Sequence, residues 1–235
     1  MNAMVLQFLL AAVPAVFAIT LHEAAHGYAA LALGDDTARV QGRLSLNPLR
    51  HVDDVGTLIV PGVLMLAQIL TIGRISFVFG WAKPVPVSAW RFRDPRRGMM
   101  LVAAAGPLMN FGLAWLGALA MWSVGWVPVS VHDEVVQFWE VFIYANLVLG
   151  LFNLLPIPPL DGGRIMVGLL PERAAEVWGR LERAGIVIVV LTVFIMPRVL
   201  GEFGIVWDPV GHALNEVIPW AYDLVMGLAG HDPGS

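Results

Sequence analysis

Cysteine is absent from the 235 residues. That excludes disulfides, thiolate zinc sites and cysteine nucleophiles, so any bound metal must rest on His, Asp or Glu. Charge is also scarce. Asp, Glu, Lys and Arg make up 14% of the chain, against roughly 25% in soluble domains. Apolar residues make up 58%, against roughly 45–50%, and mean hydropathy is +0.74. A surface built from this composition is too apolar to stay dissolved, which points to a membrane protein. Disorder is excluded, because it needs low hydropathy and high charge. With a net charge of −4 and a pI near 5.8, the chain lacks the basic face that nucleic acid requires, and no nucleic-acid partner is expected.

What the chain has instead is long uncharged runs. From Ala3 to Leu33 the sole formal charge is Glu23, and Met99–Val131, Val141–Leu160, Ala184–Pro197 and Val55–Gly73 carry none. A spanning helix needs about 20 apolar residues. The spacing predicts helices over about 3–33, 98–126 and 135–156, with a further span over about 176–206. The first run has no basic leader segment, and its apolar stretch is too long for a cleavable signal peptide. Beyond Leu200, Trp207, Trp220 and Tyr222 alternate with Asp208, Glu216 and Asp223, and Pro219 interrupts. The stretch 207–235 therefore reads as an interfacial segment, a pair of short helices with an aromatic belt. The fold class expected is an all-α polytopic membrane protein.

Basic residues orient it. Of the 14 Lys and Arg, all but Arg198 fall in three groups, 39–50, 74–97 and 164–183. The positive-inside rule puts those groups in the cytoplasm. The N-terminus, the turn around 126–133 and the C-terminus are then external. Val55–Phe79 is flanked by basic residues on both sides, so it reads as a re-entrant or surface-lying hairpin, interrupted at Pro61, Gly62 and Gly73. Upstream, Arg39–Leu46 alternates polar and apolar residues and predicts a short strand. Arg91–Arg97 carries no further role than this orienting charge.

Ionisable residues inside apolar runs are costly and mark function. His22-Glu23-Ala24-Ala25-His26 is an H-E-x-x-H. Residues four apart on a helix differ by about 40° in azimuth, so both imidazoles project to one side and can grip one metal ion. Glu23 is placed to take a proton from water there. Catalytic zinc uses three protein ligands. His51, Asp53, Asp54, Asp161, His132 and His212 are the candidates, and the two last fall in external segments. Asp161 emerges at the same end as the histidine pair, after Pro156-Ile157-Pro158-Pro159 and before Gly162-Gly163. It reads either as the third ligand or as the N-cap of a helix over 163–170. Asn110 and Asn153 read either as helix–helix hydrogen bonds or as groups that bind substrate backbone or an oxyanion.

Together with H22-E-A-A-H26, the motifs A105-G-P-L-M-N110 and N153-L-L-P-I-P-P-L-D-G-G-R164 resemble the site-2 protease family of intramembrane zinc metalloproteases. The resemblance covers about residues 3–183. It implies a three-helix catalytic core, with 34–97 as a membrane-associated strand and re-entrant insert. It implies one zinc per chain held by His22, His26 and Asp161, with Glu23 as general base. The implied activity is cleavage of a peptide bond in or near a transmembrane helix of a membrane-protein substrate, in a prokaryotic cell membrane, with the site toward the cytoplasm. The compact subgroup resembled has no PDZ-like or CBS-like domain and carries N47-P-L-R-H51-V-D-D-V-G-T57 and G80-W-A-K-P-V-P87, motifs without assigned chemistry. The competing class is a metal-binding membrane protein without protease activity, a permease or a scaffold. Glu23 argues against it, since transport needs no unliganded base beside the histidines.

The charge distribution makes a direct prediction. Single cysteines introduced near Asp53 and near Ser88 should both resist an impermeant thiol reagent in intact cells. Labelling of either from outside would show that the hairpin ends lie on opposite sides.

Overall fold

The computed structural model describes residues 3–73 and 82–231. Ten helices run along them: α1 (Ala3–Ala32), α2 (Thr37–Val40), α3 (Val60–Ile72), α4 (Pro95–Met121), α5 (His132–Asn153), α6 (Asp161–Leu169), α7 (Glu172–Arg180), α8 (Gly185–Val189), α9 (Met196–Glu202) and α10 (Pro209–Leu228). Four stretches are long and apolar enough to cross a bilayer: Val5–Ala32, Pro95–Trp126, Val129–Asn153 and Glu172–Glu202. The protein is an all-α integral membrane protein. Phe8, Leu108 and Leu116 stand exposed on the outside of the helices, which is where lipid replaces water as the favourable neighbour.

α1, α4 and α5 form the core. α4 carries its small residues on the packed side, with Gly98, Ala103, Gly106, Ala114, Gly117 and Ala118 all buried. Without a hydrophobic driving force between helices in lipid, such residues allow the close backbone approach that stabilises packing. The contacts give the directions. His26 and His22 lie against Gly106, while Ala18 O meets Asn110, so α1 and α4 are antiparallel. Gly117 faces Ile143 while Gly150 faces Asn110, so α4 and α5 are antiparallel too. α1 and α5 are therefore parallel, and the Gln7 and Gln137 side chains bond each other near their N-termini, at 2.9 and 3.3 Å. α4 starts sharply. Pro95 occupies its first position and Asp94 accepts from the Arg96 and Arg97 amides, both at 3.1 Å.

Three expectations differ from what forms. The strand over Arg39–Leu46 does not: Thr37–Val40 is a helical turn, and no strand partner lies beside 43–46 among the described residues. Alternation alone could not exclude this, since the Ala38 carbonyl accepts from the Arg43 and Leu44 amides and closes 38–44 into a turn. Within the insert, helical structure runs from Asp54 through Pro61 and Gly62 to Ile72 and stops at Gly73, whose φ of +70° suits glycine. The far side of the hairpin, 74–81, lies outside the described residues. Beyond 207 there is one helix rather than a pair. α10 continues through Pro219 and packs on α5 and α4. Ala221, Val225 and Ala229 join a buried cluster with Ala114, Ala118, Ile143 and Leu147. The Trp122 indole donates to Ala229 O at 2.9 Å.

A buried carboxylate just beyond the end of α1 fastens the 88–91 stretch, beside an ion pair of Asp36 with Arg91. Asp35 is 1% exposed. It accepts from the Ser88 amide at 2.6 Å, from the Thr37 amide at 3.0 Å and from the Thr37 hydroxyl, with the Arg91 guanidinium alongside. Burial alone would raise its pKa; the Ser88 and Thr37 donors and the Arg91 cation together outweigh it and hold the carboxyl below its ordinary value. Stability from such a depressed group is present above the ordinary carboxylate pKa and is lost as pH falls through the folded one. Asp35→Ala should therefore cost about 1–3 kcal/mol at neutral pH, the scale for leaving buried donors unpaired. Asp35→Asn should flatten the acid side of a melting-temperature profile recorded in detergent.

Candidate metal centre

α1 supplies two imidazoles one turn apart. His22 and His26 meet edge to face, with ring centroids 4.7 Å apart. Their Nε2 atoms are 3.1 Å apart. Asp161, the first residue of α6, brings Oδ2 to 3.1 Å from His22 Nε2 and 3.3 Å from His26 Nε2. His22 is 5% and Asp161 6% exposed. Leu160, and not Asp161, takes the N-cap position of α6, and the Asp161 side chain makes no capping bond.

Hydrogen bonds determine which ring nitrogens carry protons. Val102 O can only accept, and it lies 2.7 Å from His26 Nδ1, so that nitrogen is N–H. The orientation of the Asn110 amide follows in the same way. Its Nδ2 donates to Ala18 O at 3.2 Å, which turns Oδ1 toward His22 Nδ1 at 2.6 Å. His22 Nδ1 is therefore also the donor. Protonated at Nδ1 alone, each ring presents a bare Nε2 lone pair to the other and to Asp161 Oδ2. Three lone pairs facing one buried point repel unless a cation or a proton sits between them. Three ligands of a tetrahedral zinc stand roughly 3.3 Å apart, given zinc–nitrogen distances of about 2.0–2.1 Å. The observed triangle fits that ion. Among the described residues it is the one grouping of three His, Asp or Glu side chains close enough to share a metal.

Glycines make the approach possible. A Cβ on Gly106 would lie 2.5 Å from His26 Cε1 and 2.6 Å from His22 Cε1. A Cβ on Gly162 would collide with the carbonyl oxygens of Leu154 and Leu155. The turn between α5 and α6 can thus fold tightly enough to bring Asp161 back to α1. α6 is held from its other end by Arg96, whose Nη2 donates to Gly168 O at 3.1 Å and Leu170 O at 2.6 Å. The arginine cluster therefore does more than orient the chain, since one member satisfies helix-terminal carbonyls.

The remaining sequence candidates fall elsewhere. Glu23 is half-buried beside the pair, and its Oε2 accepts from the Val85 amide at 3.2 Å. Asn110 is fully buried and contacts His22. Asn153 donates to Leu149 O of its own helix at 3.0 Å. His51 lies in a 3-10 turn with Nδ1 3.2 Å from Asn47 O, and Asp53 accepts from the Val55 and Gly56 amides. His132 neighbours Asp133. Sequence reasoning missed Asn146. Fully buried, it accepts from Asn110 Nδ2 at 2.9 Å and donates to Phe142 O at 2.8 Å. Its signal was available: it is a polar residue inside the uncharged run from Val141, one heptad before Asn153.

Comparison with known proteins follows the geometry. Residues 119–196 match peptidase family M50. The chain is 40% identical over 207 residues to the Bacillus subtilis protein named "Putative zinc metalloprotease YwhC", covering 86% of each. It is 34% identical over 173 residues to "Putative zinc metalloprotease Rip2" of Mycolicibacterium smegmatis, covering 71% of this chain and 61% of that one. A shorter match, 28% over 90 residues, joins it to "Zinc metalloprotease MJ0392" of Methanocaldococcus jannaschii, covering 38% of this chain and 25% of that one. No solved structure matches. The chain belongs to peptidase family M50, the site-2 protease family, and is a membrane-embedded zinc metalloprotease.

Proposed function

We propose that this protein is an intramembrane endopeptidase that cleaves a peptide bond in or near a transmembrane helix of a membrane-protein substrate. The observation that carries the reading is the buried Nε2, Nε2, Oδ2 triangle, set between helices of membrane-spanning length. His26 lies six residues inside the end of α1, about 9 Å of helix rise. The positive-inside rule supports a cytoplasmic position for that end, and in this reading the site works toward the cytoplasmic side of a prokaryotic cell membrane.

In this reading His22, His26 and Asp161 would hold the zinc, which would supply the acidity for a water nucleophile and polarise the scissile carbonyl. Glu23 would take the proton of the attacking water and return it to the departing amide nitrogen. Oε1 is the oxygen for this task, since Oε2 is engaged by Val85. Asn110 spends both amide hydrogens, on Ala18 O and Asn146 Oδ1. It has none left for an oxyanion, and its part is to hold His22 in the tautomer and rotation that metal binding needs. Asn153 commits one amide hydrogen to its own helix and keeps the other for substrate backbone. A substrate helix hides its carbonyls in hydrogen bonds, so the scissile stretch must unwind before it can enter.

Glu23→Gln should retain zinc and lose turnover by about 10²–10⁴-fold, the usual scale for a general acid–base group. A permease or scaffold would keep its function. Comparison of newly formed protein N-termini in membranes holding active enzyme or the Glu23→Gln variant identifies the substrates. Asp161→Ala should emerge from purification with strongly reduced zinc; full occupancy would remove Asp161 from the ligand set. Asn110→Leu and Asn146→Leu should each weaken zinc retention against a chelator by about 10–100-fold, the range for lost partners of a metal-binding histidine.

A further inference from the structure

Lys83-Pro84-Val85-Pro86-Val87 crosses the face of α1 as extended chain with no regular structure. It is pinned at both ends. The Lys83 amide donates to His51 O at 2.8 Å, Lys83 O accepts from Arg43 Nη2 at 3.1 Å, and the Ser88 amide donates to Asp35 Oδ2 at 2.6 Å. Between the pins, Pro84 and Pro86 have no N–H, which leaves Val85 as the single backbone donor of the 84–86 stretch. That donor is aimed at Glu23 Oε2, 3.2 Å away. The Val85 side chain is 8% exposed and sits against Gly27, one helical turn beyond Glu23, where an added Cβ would lie 3.0 Å from Val85 Cγ1. Strap and helix are therefore in register at this point.

We propose that the Lys83–Val87 strap is a positioning device for Glu23, acting through the Val85 N–H. This rests on the reading of Glu23 as general base. Glu23 has three rotatable side-chain bonds and an anionic head one residue from a metal-binding histidine. Unrestrained, the carboxylate is drawn to a cation at the triangle and becomes a further ligand, unable to accept a proton. A fixed N–H on Oε2 restrains the carboxylate and leaves Oε1 to accept the proton; no other hydrogen bond restrains the Glu23 side chain among the described residues. The flanking prolines fix φ of their own residues and bias the preceding ones toward extended backbone, so the donor is preorganised rather than ordered on demand. The two prolines also prevent the neighbouring positions from offering a competing N–H. This gives the K-P-V-P sequence a chemical reason that its apolar character does not.

The test removes one proton. Val85 is replaced by its α-hydroxy acid through nonsense suppression, which converts the amide to an ester and keeps the side chain. Val85→Pro deletes the same N–H genetically, and Val85→Ala trims the side chain but retains it. Full-length proteins in proteoliposomes are assayed with a fluorophore- and quencher-labelled transmembrane peptide that the unmodified enzyme cuts. The ester and Val85→Pro proteins should hold normal zinc and lose at least tenfold in kcat with KM within about twofold, while Val85→Ala, which keeps the N–H, should lose less than the ester. A readout independent of turnover is a melting-temperature cycle on zinc-stripped protein. The ester should lower the midpoint in the Glu23 background and have no effect with Glu23→Leu, whereas additive shifts would overturn the coupling. Unchanged kcat in the ester protein also overturns the proposal. So does a rise in kcat, which would make the strap a plug. Retained turnover by Glu23→Gln would instead remove the general-base reading itself; a silent Glu23→Gln beside a fully active ester protein removes the strap's role alone.

Discussion

The structure turns on a repulsion. Two imidazole Nε2 atoms and a carboxylate oxygen meet within 3.3 Å of one another in a largely buried site, where electrostatic costs are high. Such an arrangement persists because the surroundings over-determine it. Val102 O takes one Nδ1 proton and Asn110 takes the other; Ala18 O and Asn146 orient Asn110; Phe142 O orients Asn146. Each side-chain amide is anchored on a backbone carbonyl of a packed helix, so neither can flip without breaking a bond the bilayer cannot replace. The cation that relieves the repulsion is thereby selected by the shape of the three-helix core.

That shape explains the composition of α4. To reach the imidazoles the helix must present glycine at 106, and to stay closely packed on its neighbours it must remain narrow on both sides of Asn110. Bulky residues are accordingly displaced to the lipid side, where Leu108 is 65% exposed. In water this distribution would be inverted; in a bilayer, close backbone packing and outward leucines are compatible, and polar bonds at the centre add to both.

How much of this was legible depends on which atoms carry the information. The helices of the core were readable because uncharged runs of sufficient length have one stable form in lipid. The histidine pair was readable because four-residue spacing fixes azimuth. Asp161 was readable as a candidate through its Pro- and Gly-rich surroundings, but only the tertiary turn against Leu154 and Leu155 distinguishes a metal-facing side chain from a helix cap. The expected strand at 39–46 failed for the same kind of reason: its alternation was real, but no neighbouring strand exists to use it, and Ala38 O draws the chain into a turn. The pair of helices expected beyond 207 forms as one, because α10 runs through Pro219 and docks the small face of Ala221 and Ala229 on α4 and α5, a face with little weight in any hydropathy count.

The residues that were hardest to see act through the main chain. Val102 O, Ala18 O, Phe142 O and the Val85 N–H all shape the site; any residue can supply such a carbonyl, and any but proline such an N–H. What the sequence displays at those places is an exclusion and not a chemical group: prolines at 84 and 86 that silence neighbouring donors, a glycine at 106 that clears space. A motif search keyed to reactive side chains passes over both. The site is thus two layers with different visibility. The inner layer of His, Glu and Asp is chemically marked. The outer layer of backbone dipoles is marked by what its neighbours lack, and it becomes interpretable once the fold shows where each donor and acceptor is aimed.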